Sequence, residues 1–435
     1  MSGFKLRTAM VPALYRLSAA GLAALLALPA AAAEPGDRPG LTLAAEARLR
    51  YAAFGDAQLT RGNDYRQGLF RGVAGAELRL SPALRFFGEV GTGQVEGRRR
   101  AASAGFQNDA ALQQLYVDVR GRAGQVLLGA AAGRMEFADA PRQLLSIGDG
   151  ANLHRTWNGV RLYAQAPGVR FGAFDFRVTR PGRGAFDDGV RSGERLRGAN
   201  AGLALPLGGA EVKLDPFWLR TVNPAFRAGD RTGRDRRDTV GARLRVRRGP
   251  VAVDWTAARQ TGRFLDRPVE AWGLFAMQSV ALSAEGWKPR LGLRIDAASG
   301  GGTYGTGTVK AFNQLYASSG YLGEGLFLST SNLLMAAPGL SVAPTPSTTL
   351  SAEYGVARRL TEDDAAYAGQ MRPHPGTRNV PGHRIGGLLR VAGTWTATEH
   401  LTLSVNHERL AAGPVLRRAG RSSGSYSYVS ATLRY

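Results

Sequence analysis

The residues best able to do chemistry in this sequence are arginines spaced an even number of positions apart. Arg48 and Arg50, Arg243 and Arg245, and Arg290 and Arg294 are the clearest pairs. Residues with that spacing share one face of an extended strand. A guanidinium is planar, permanently charged and able to hold a carboxylate through two parallel hydrogen bonds. A face of such groups would bind and pass anions rather than make or break bonds. A GC-rich genome would also favour arginine, but the placement on one face calls for a physical account.

Other chemistries find little support. The sequence has no cysteine, which removes disulfides, thiolate metal sites and cysteine nucleophiles. Its five histidines, at 154, 374, 383, 400 and 407, form no metal-ligand pair of the HExxH kind. Serines such as Ser146 and Ser329 lie in no GxSxG motif and have no suitably spaced histidine, so a hydrolase is not expected. No cofactor and no enzymatic activity are expected. The formal charge of +22 would suit nucleic acid, but an exported chain rarely meets it, and nucleic acid is not expected as a partner.

Export is indicated by Lys5, Arg7 and Arg16 ahead of an apolar run from Leu17 through Ala33, closed by Ala31, Ala32 and Ala33 before Glu34. Residues 1–33 are expected to be a signal peptide and 34–435 a single domain. Beyond that run no apolar stretch reaches the ~18 residues that a helical span needs, so a membrane would have to be crossed by strands.

Strands are what the pattern supplies. Ala45, Ala47, Leu49 and Tyr51 alternate with Glu46, Arg48 and Arg50; Ala76, Leu78 and Leu80 with Glu77 and Arg79. Leu115, Val117 and Val119 alternate with Tyr116, Asp118 and Arg120, and Val160 and Leu162 with Arg161 and Tyr163. Val240 to Arg247 and Arg290 to Asp296 continue the scheme. Turn residues such as Pro167-Gly168, Gly208-Gly209 and Gly249-Pro250 separate the runs. Longer connections are expected at 136 to 156, 181 to 195, 221 to 236, 298 to 326 and 361 to 382. Short links alternating with long ones, over roughly sixteen to eighteen strands, suit an antiparallel transmembrane β-barrel with a water-filled interior.

A soluble sandwich would show the same alternation. Against it stand aromatics near strand ends (Trp157, Trp218, Trp255, Trp272, Tyr426, Tyr428) and a terminal strand closing on Tyr435. In a barrel, an arginine facing lipid at mid-membrane costs about 2 to 4 kcal/mol, so strand arginines are expected to face the lumen. Glu46, Glu77, Glu89, Asp118, Asp254, Asp296, Glu353 and Glu408 would hold them apart as ion pairs.

Several stretches resemble the alginate export family of outer-membrane porins. The most specific is Gly133-Arg134-Met135-Glu136, then Arg142-Gln143-Leu144-Leu145, then Arg155 to Arg161. Here Trp157 and Asn158 stand where the family has phenylalanine and aspartate, which removes a carboxylate from that rim. Phe312 to Tyr316 through Gly323-Glu324 to Ser331-Asn332-Leu333-Leu334, and the final hairpin around Gly413 to Gly420, are similar as well. The resemblance implies eighteen strands, with sixteen as the alternative, and passive export of a polyuronate through an arginine-lined constriction. The candidate pore-lining residues are Arg48, Arg50, Arg79, Arg120, Arg134, Arg161, Arg243, Arg245, Arg290, Arg294 and Arg390, with Asp118, Glu46 and Glu77 interleaved. Arg134 and Arg161 rank first because the matched motif carries them. Expected partners are an anionic polysaccharide or other anionic solute, outer-membrane lipid and lipopolysaccharide, the barrel assembly machinery and periplasmic export proteins. A general anion or small-substrate porin is the alternative; an outer-membrane enzyme or adhesive barrel is the reading from another class.

Overall fold

Segments that alternate apolar and polar residues leave half of every strand's side chains apolar, and these can be hidden only in lipid or a core. A computed structural model describes residues 39–97 and 102–435, and the expected export segment lies outside them. The chain first forms β1 (Gly40–Gly55), β2 (Tyr65–Ser81), β3 (Leu84–Glu96), β4 (Asn108–Ala123), β5 (Val126–Glu136) and β6 (Thr156–Ala166). It continues with β7 (Val169–Arg180), β8 (Gly189–Leu207), β9 (Ala210–Ala228), β10 (Arg231–Arg248), β11 (Val251–Phe264) and β12 (Arg267–Ala281). Then come β13 (Arg290–Ala298), β14 (Leu333–Thr345), β15 (Thr348–Arg358), a minor loop hairpin of β16 (Tyr367–Ala368) and β17 (Arg372–Pro373), β18 (Arg384–Thr396), β19 (Leu401–Ala412) and β20 (Gly424–Arg434).

All but β16 and β17 join one 18-stranded antiparallel sheet in which each strand pairs with its sequence neighbours. The sheet closes on itself, because β1 pairs with β2 on one side and β20 on the other, with Glu46 opposite Arg434 and Arg50 opposite Ser430. Closure leaves no strand edge unpaired, which a bilayer demands. The fold is therefore the expected eighteen-stranded barrel, not the sixteen-stranded one.

One end carries tight turns. Gly208 and Gly209, both at positive φ (55° and 75°), link β8 to β9 in the backbone conformation that a two-residue hairpin needs. The other end carries the long connections 137–155, 299–332 and 359–383. The expected loop at 221 to 236 is instead strand: β9 and β10 pair as far as Ala228 opposite Arg231. Its run of charged residues is polar on both faces because the strands there extend past the apolar band, so period-two alternation fades while the ladder continues.

The outer wall exposes Leu41, Leu115, Leu162, Phe171, Leu207, Leu291, Val405 and Val429. In water that band would aggregate; in lipid it is what anchors the barrel. The main hydrophobic core lies inside the barrel. Loop residues Leu144, Leu145, Phe312, Tyr321 and Phe327 pack there against inward residues including Phe174, Phe176, Leu219, Phe275 and Met335. Connections 137–155 and 299–332 thus fold inward and pair with each other, Tyr316 N donating to Leu144 O at 2.9 Å and Ser146 N to Tyr316 O at 3.0 Å. Trp157, Tyr426 and Tyr428 do not join an outer aromatic girdle: Trp157 and Tyr426 are buried in the inner core and Tyr428 packs against it, leaving Trp218, Trp255 and Trp272 outside.

Candidate functional site: the arginine-lined lumen

Residues paired across two strands point to the same face, so each arginine's direction follows from its neighbours. Arg48 lies opposite Arg71, between the outward Leu49 and its partner Phe70. By the same argument Arg50, Arg79, Arg120, Arg161, Arg243, Arg245, Arg290, Arg294 and Arg390 point inward, as do the acids named from the sequence.

Arg134 is the exception. It lies opposite Leu115, which is 56% exposed on the outer wall, and the adjoining Met135 is buried inside. Its guanidinium donates to Leu112 O at 2.8 Å and Asn158 Oδ1 at 3.0 Å, and lies 3.5 Å from Asp188. Leu112 stands at a register shift between β3 and β4, and its own N–H is taken by Asp188. Arg134 therefore stitches the wall beside an irregularity and does not line the lumen, which corrects the expectation drawn from its motif.

The inward arginines fall into two settings. On β1, β2, β13 and β18 they are covered. Arg48 donates to Asp149 Oδ1 at 3.1 Å and Ala151 O at 2.7 Å, both in the 137–155 loop. Arg71 donates to Glu46 and, at 2.6 Å, to Asp149. Arg50 reaches Glu324 of the 299–332 loop at 2.6 Å and stacks 4.1 Å from the Tyr428 ring, while Glu408 accepts from the Glu324 and Gly325 amides. Arg294 pairs with Asp296 at 2.8 Å, donates to Tyr321 O and lies 4.3 Å from the Tyr321 ring, whose hydroxyl donates to Asp296. Arg390 joins Arg294 on Glu353 and donates to Gly320 O at 3.1 Å.

The loop groups are held in charged form by this setting. Burial opposes ionisation of His154, but hydrogen bonds to Asp149 and Glu136, at 2.9 and 2.5 Å, outweigh it and raise its pKa to about 9. Burial also works against the Asp149 carboxylate, yet His154, Arg48 and Arg71 hold it well below the usual range.

On the wall of β6 to β10, Arg161, Arg170, Arg243 and Arg245 stay in water, whereas Arg237, farther along β10, is buried against Asp235 (2.9 Å) and donates to Ala311 O of the 299–332 loop (3.0 Å). Asp139 bridges Arg161 (3.2 Å) and Arg170 (2.5 Å), and Asp215 bridges Arg170 (3.0 Å) and Arg245 (2.6 Å). Arg243 pairs with Asp254 at 2.5 Å. Arg161, Arg170 and Arg245 keep 36–42% of their side-chain surface exposed. Each bridging carboxylate serves two guanidiniums, which leaves this ladder net positive. Arg142 projects nearby from the 137–155 loop over the Tyr321 ring, and no described acid forms an ion pair with it. Toward the tight-turn end, Arg79 binds Glu77 (2.8 Å), Arg120 donates to Pro82 O and Arg290 to Ser279 Oγ (each 3.0 Å). Glu89 accepts from Gln114, and Asp118 is buried between Arg85 and Tyr163.

Sequence reading missed Arg71, Arg142, Arg170, Asp139, Asp149, His154, Asp215 and Glu324. Arg170, between Val169 and Phe171, and Asp215, between Leu214 and Pro216, lie on strands and were open to a period-two search. The loop residues follow no period; Arg142 and Glu324 stand in the family-like stretches, but nothing in the sequence placed them at the lumen wall.

The family model described as alginate export matches residues 40–430. The chain belongs to the alginate export family. No curated protein matches it. Solved structures with the same barrel include Pseudomonas aeruginosa OccK2 (OpdF) in complex with glucuronate, at 12% identity and TM-score 0.58, over 91% of this chain and 97% of that one. Others are OccK5 (OpdH) of the same organism, at 13% and 0.58 over 91% and 98%, and OpdK with vanillate, at 13% and 0.56 over 90% and 98%. This alginate export family member is thus an outer-membrane channel of a Gram-negative bacterium. Its tight turns face the periplasm and its long loops the exterior, as in barrels of this type.

Proposed function

We propose that the channel passes anions, and specifically an acidic saccharide of the polyuronate kind. The observation that carries this reading is the ladder of Arg161, Arg170 and Arg245, whose solvated guanidiniums outnumber the two carboxylates between them. A polyuronate carries one carboxylate per sugar, and forked donors in a row can exchange contacts with successive carboxylates. Conduction requires several weak sites rather than one tight site, and exposed ion pairs, each worth about 0.2 to 1 kcal/mol, are easily traded for a passing anion. The glucuronate bound to a barrel of the same fold fits that chemistry.

A smaller anionic solute is the second reading, favoured by the paired loops 137–155 and 299–332, which narrow the lumen. Planar-bilayer recording separates the two. Reversal potentials in a salt gradient should show anion preference, and block by an oligouronate exceeding that by a single uronate supports the polymer. Equal block favours the small solute, and cation preference would overturn both.

A further inference from the structure

We propose that the outer wall of β7 to β11 binds the phosphates of a diphosphorylated glycolipid in the outer leaflet. On this wall three arginine pairs face each other directly across neighbouring strands: Arg177 and Arg195, Arg197 and Arg220, Arg236 and Arg263. All point outward. Arg197 and Arg220 share a face with the exposed Phe171, Trp218 and Val240, while the alternate positions Leu196, Leu219 and Arg237 are buried inside. Like charges directly opposite on a sheet repel and destabilise it, so three such pairs on five consecutive strands call for an anion.

The protein supplies only part of it. Asp175 serves Arg195 and Arg197, and Asp238 serves Arg220 with bonds of 2.8 and 3.0 Å. Arg177 and Arg236 are exposed and have no hydrogen-bond or ion-pair partner among the described residues.

Their level selects the ligand. The outward row that holds Trp218 and Trp272, with Val240 and Arg259 between them, lies directly below the Arg197 and Arg220 pair and two outward rows below the other two pairs. Tryptophans of that kind sit at the boundary between acyl chains and headgroups. The arginine pairs therefore stand among headgroups, at the end of the barrel that carries the long loops. The clusters on β7/β8 and β10/β11 are three strand spacings apart, roughly 14 Å. That separation suits a headgroup with two phosphates better than one with a single phosphate, and phosphate is the anion that forked guanidiniums hold best.

Native mass spectrometry of the folded full chain, titrated with diphosphoryl lipid A, tests the assignment. Binding should weaken about tenfold for each partnerless arginine replaced, as loss of a charge-assisted hydrogen bond implies, so Arg177→Gln and Arg236→Gln should each show it. Monophosphoryl lipid A should bind less tightly than the diphosphoryl form, and phosphatidylglycerol more weakly still. The lumen variant Arg161→Gln should bind like the parent. Arg236→Gln removes a side chain with no partner, so the barrel should keep its heat-modifiable migration. Unchanged binding in both arginine variants, or equal binding of phosphatidylglycerol and lipid A, would overturn the proposal.

Discussion

The lumen faces of β1, β2, β13 and β18 and the wall made by β6 to β10 carry the same residue in two different states. Arg48, Arg50 and Arg294 are 3–6% exposed because loop carboxylates and carbonyls close over them. Arg161, Arg170 and Arg245 share Asp139 of the 137–155 loop and Asp215 of β9 and stay open to water. What covers an arginine, not the strand that carries it, decides whether it fastens a loop or meets a solute. A buried ion pair is costly to break because the orphaned charge cannot reach water, whereas a solvated pair is replaced by water at little cost.

The harshest way to break that contrast is Arg294→Ala. It takes from the buried Asp296 its paired cation, leaving it the Tyr321 hydroxyl, and removes the Arg294 contacts to the Tyr321 ring and carbonyl, at a cost of about 3 to 5 kcal/mol to loop docking. The expected outcome is a released 299–332 loop, visible as cleavage within it by added protease and as a several-fold rise in conductance, with the barrel itself still folded. Unchanged loop protection would mean that the apolar core alone holds the loop.

The second perturbation is pH, acting on His154. Its folded pKa, about 9, lies above the ordinary 6.5, so its contribution to docking of the 137–155 loop is complete below about pH 6.5 and is lost as pH rises through 9. A neutral imidazole has one N–H and can donate to only one of Asp149 and Glu136. Protease sensitivity of this loop should therefore increase on the alkaline side, and His154→Gln should flatten the profile.

On the open wall the expected effects are smaller for stability and directed at transport. Arg161→Gln with Arg170→Gln should lower the anion-to-cation permeability ratio several-fold and weaken block by an oligouronate. Thermal stability should change by no more than about 1 kcal/mol per ion pair lost. A large loss of stability would show that the ladder is structural, like the covered wall.

These two walls also differ in what the sequence alone could reveal. Strand existence and the inward direction of Arg48, Arg161 or Arg243 follow from period-two alternation, since one register puts every apolar neighbour outside. The covering could not be anticipated, because Asp149, His154 and Glu324 lie on loops that obey no period and meet strand residues as far as 101 and 274 positions away. Arg134 failed for a third reason. Its apolar neighbour Met135 is buried inside the barrel rather than facing lipid, so alternation points the wrong way there, and a motif records which residue is present, not where its side chain points.

Arg134→Gln offers the gentlest test and bears directly on that distinction. Asp188 would keep bonds from the Leu112 and Gly182 amides, while Leu112 O would lose its donor, a local cost of about 1 to 3 kcal/mol if no water replaces it. Hydrogen exchange should quicken in the 181–188 segment and at the upper end of β4. Reversal potential and oligouronate block should stay as in the parent, because the side chain stands on the far side of the wall from the lumen. A shift in selectivity matching that of Arg161→Gln would put Arg134 back inside the channel and undo the assignment of faces on β5.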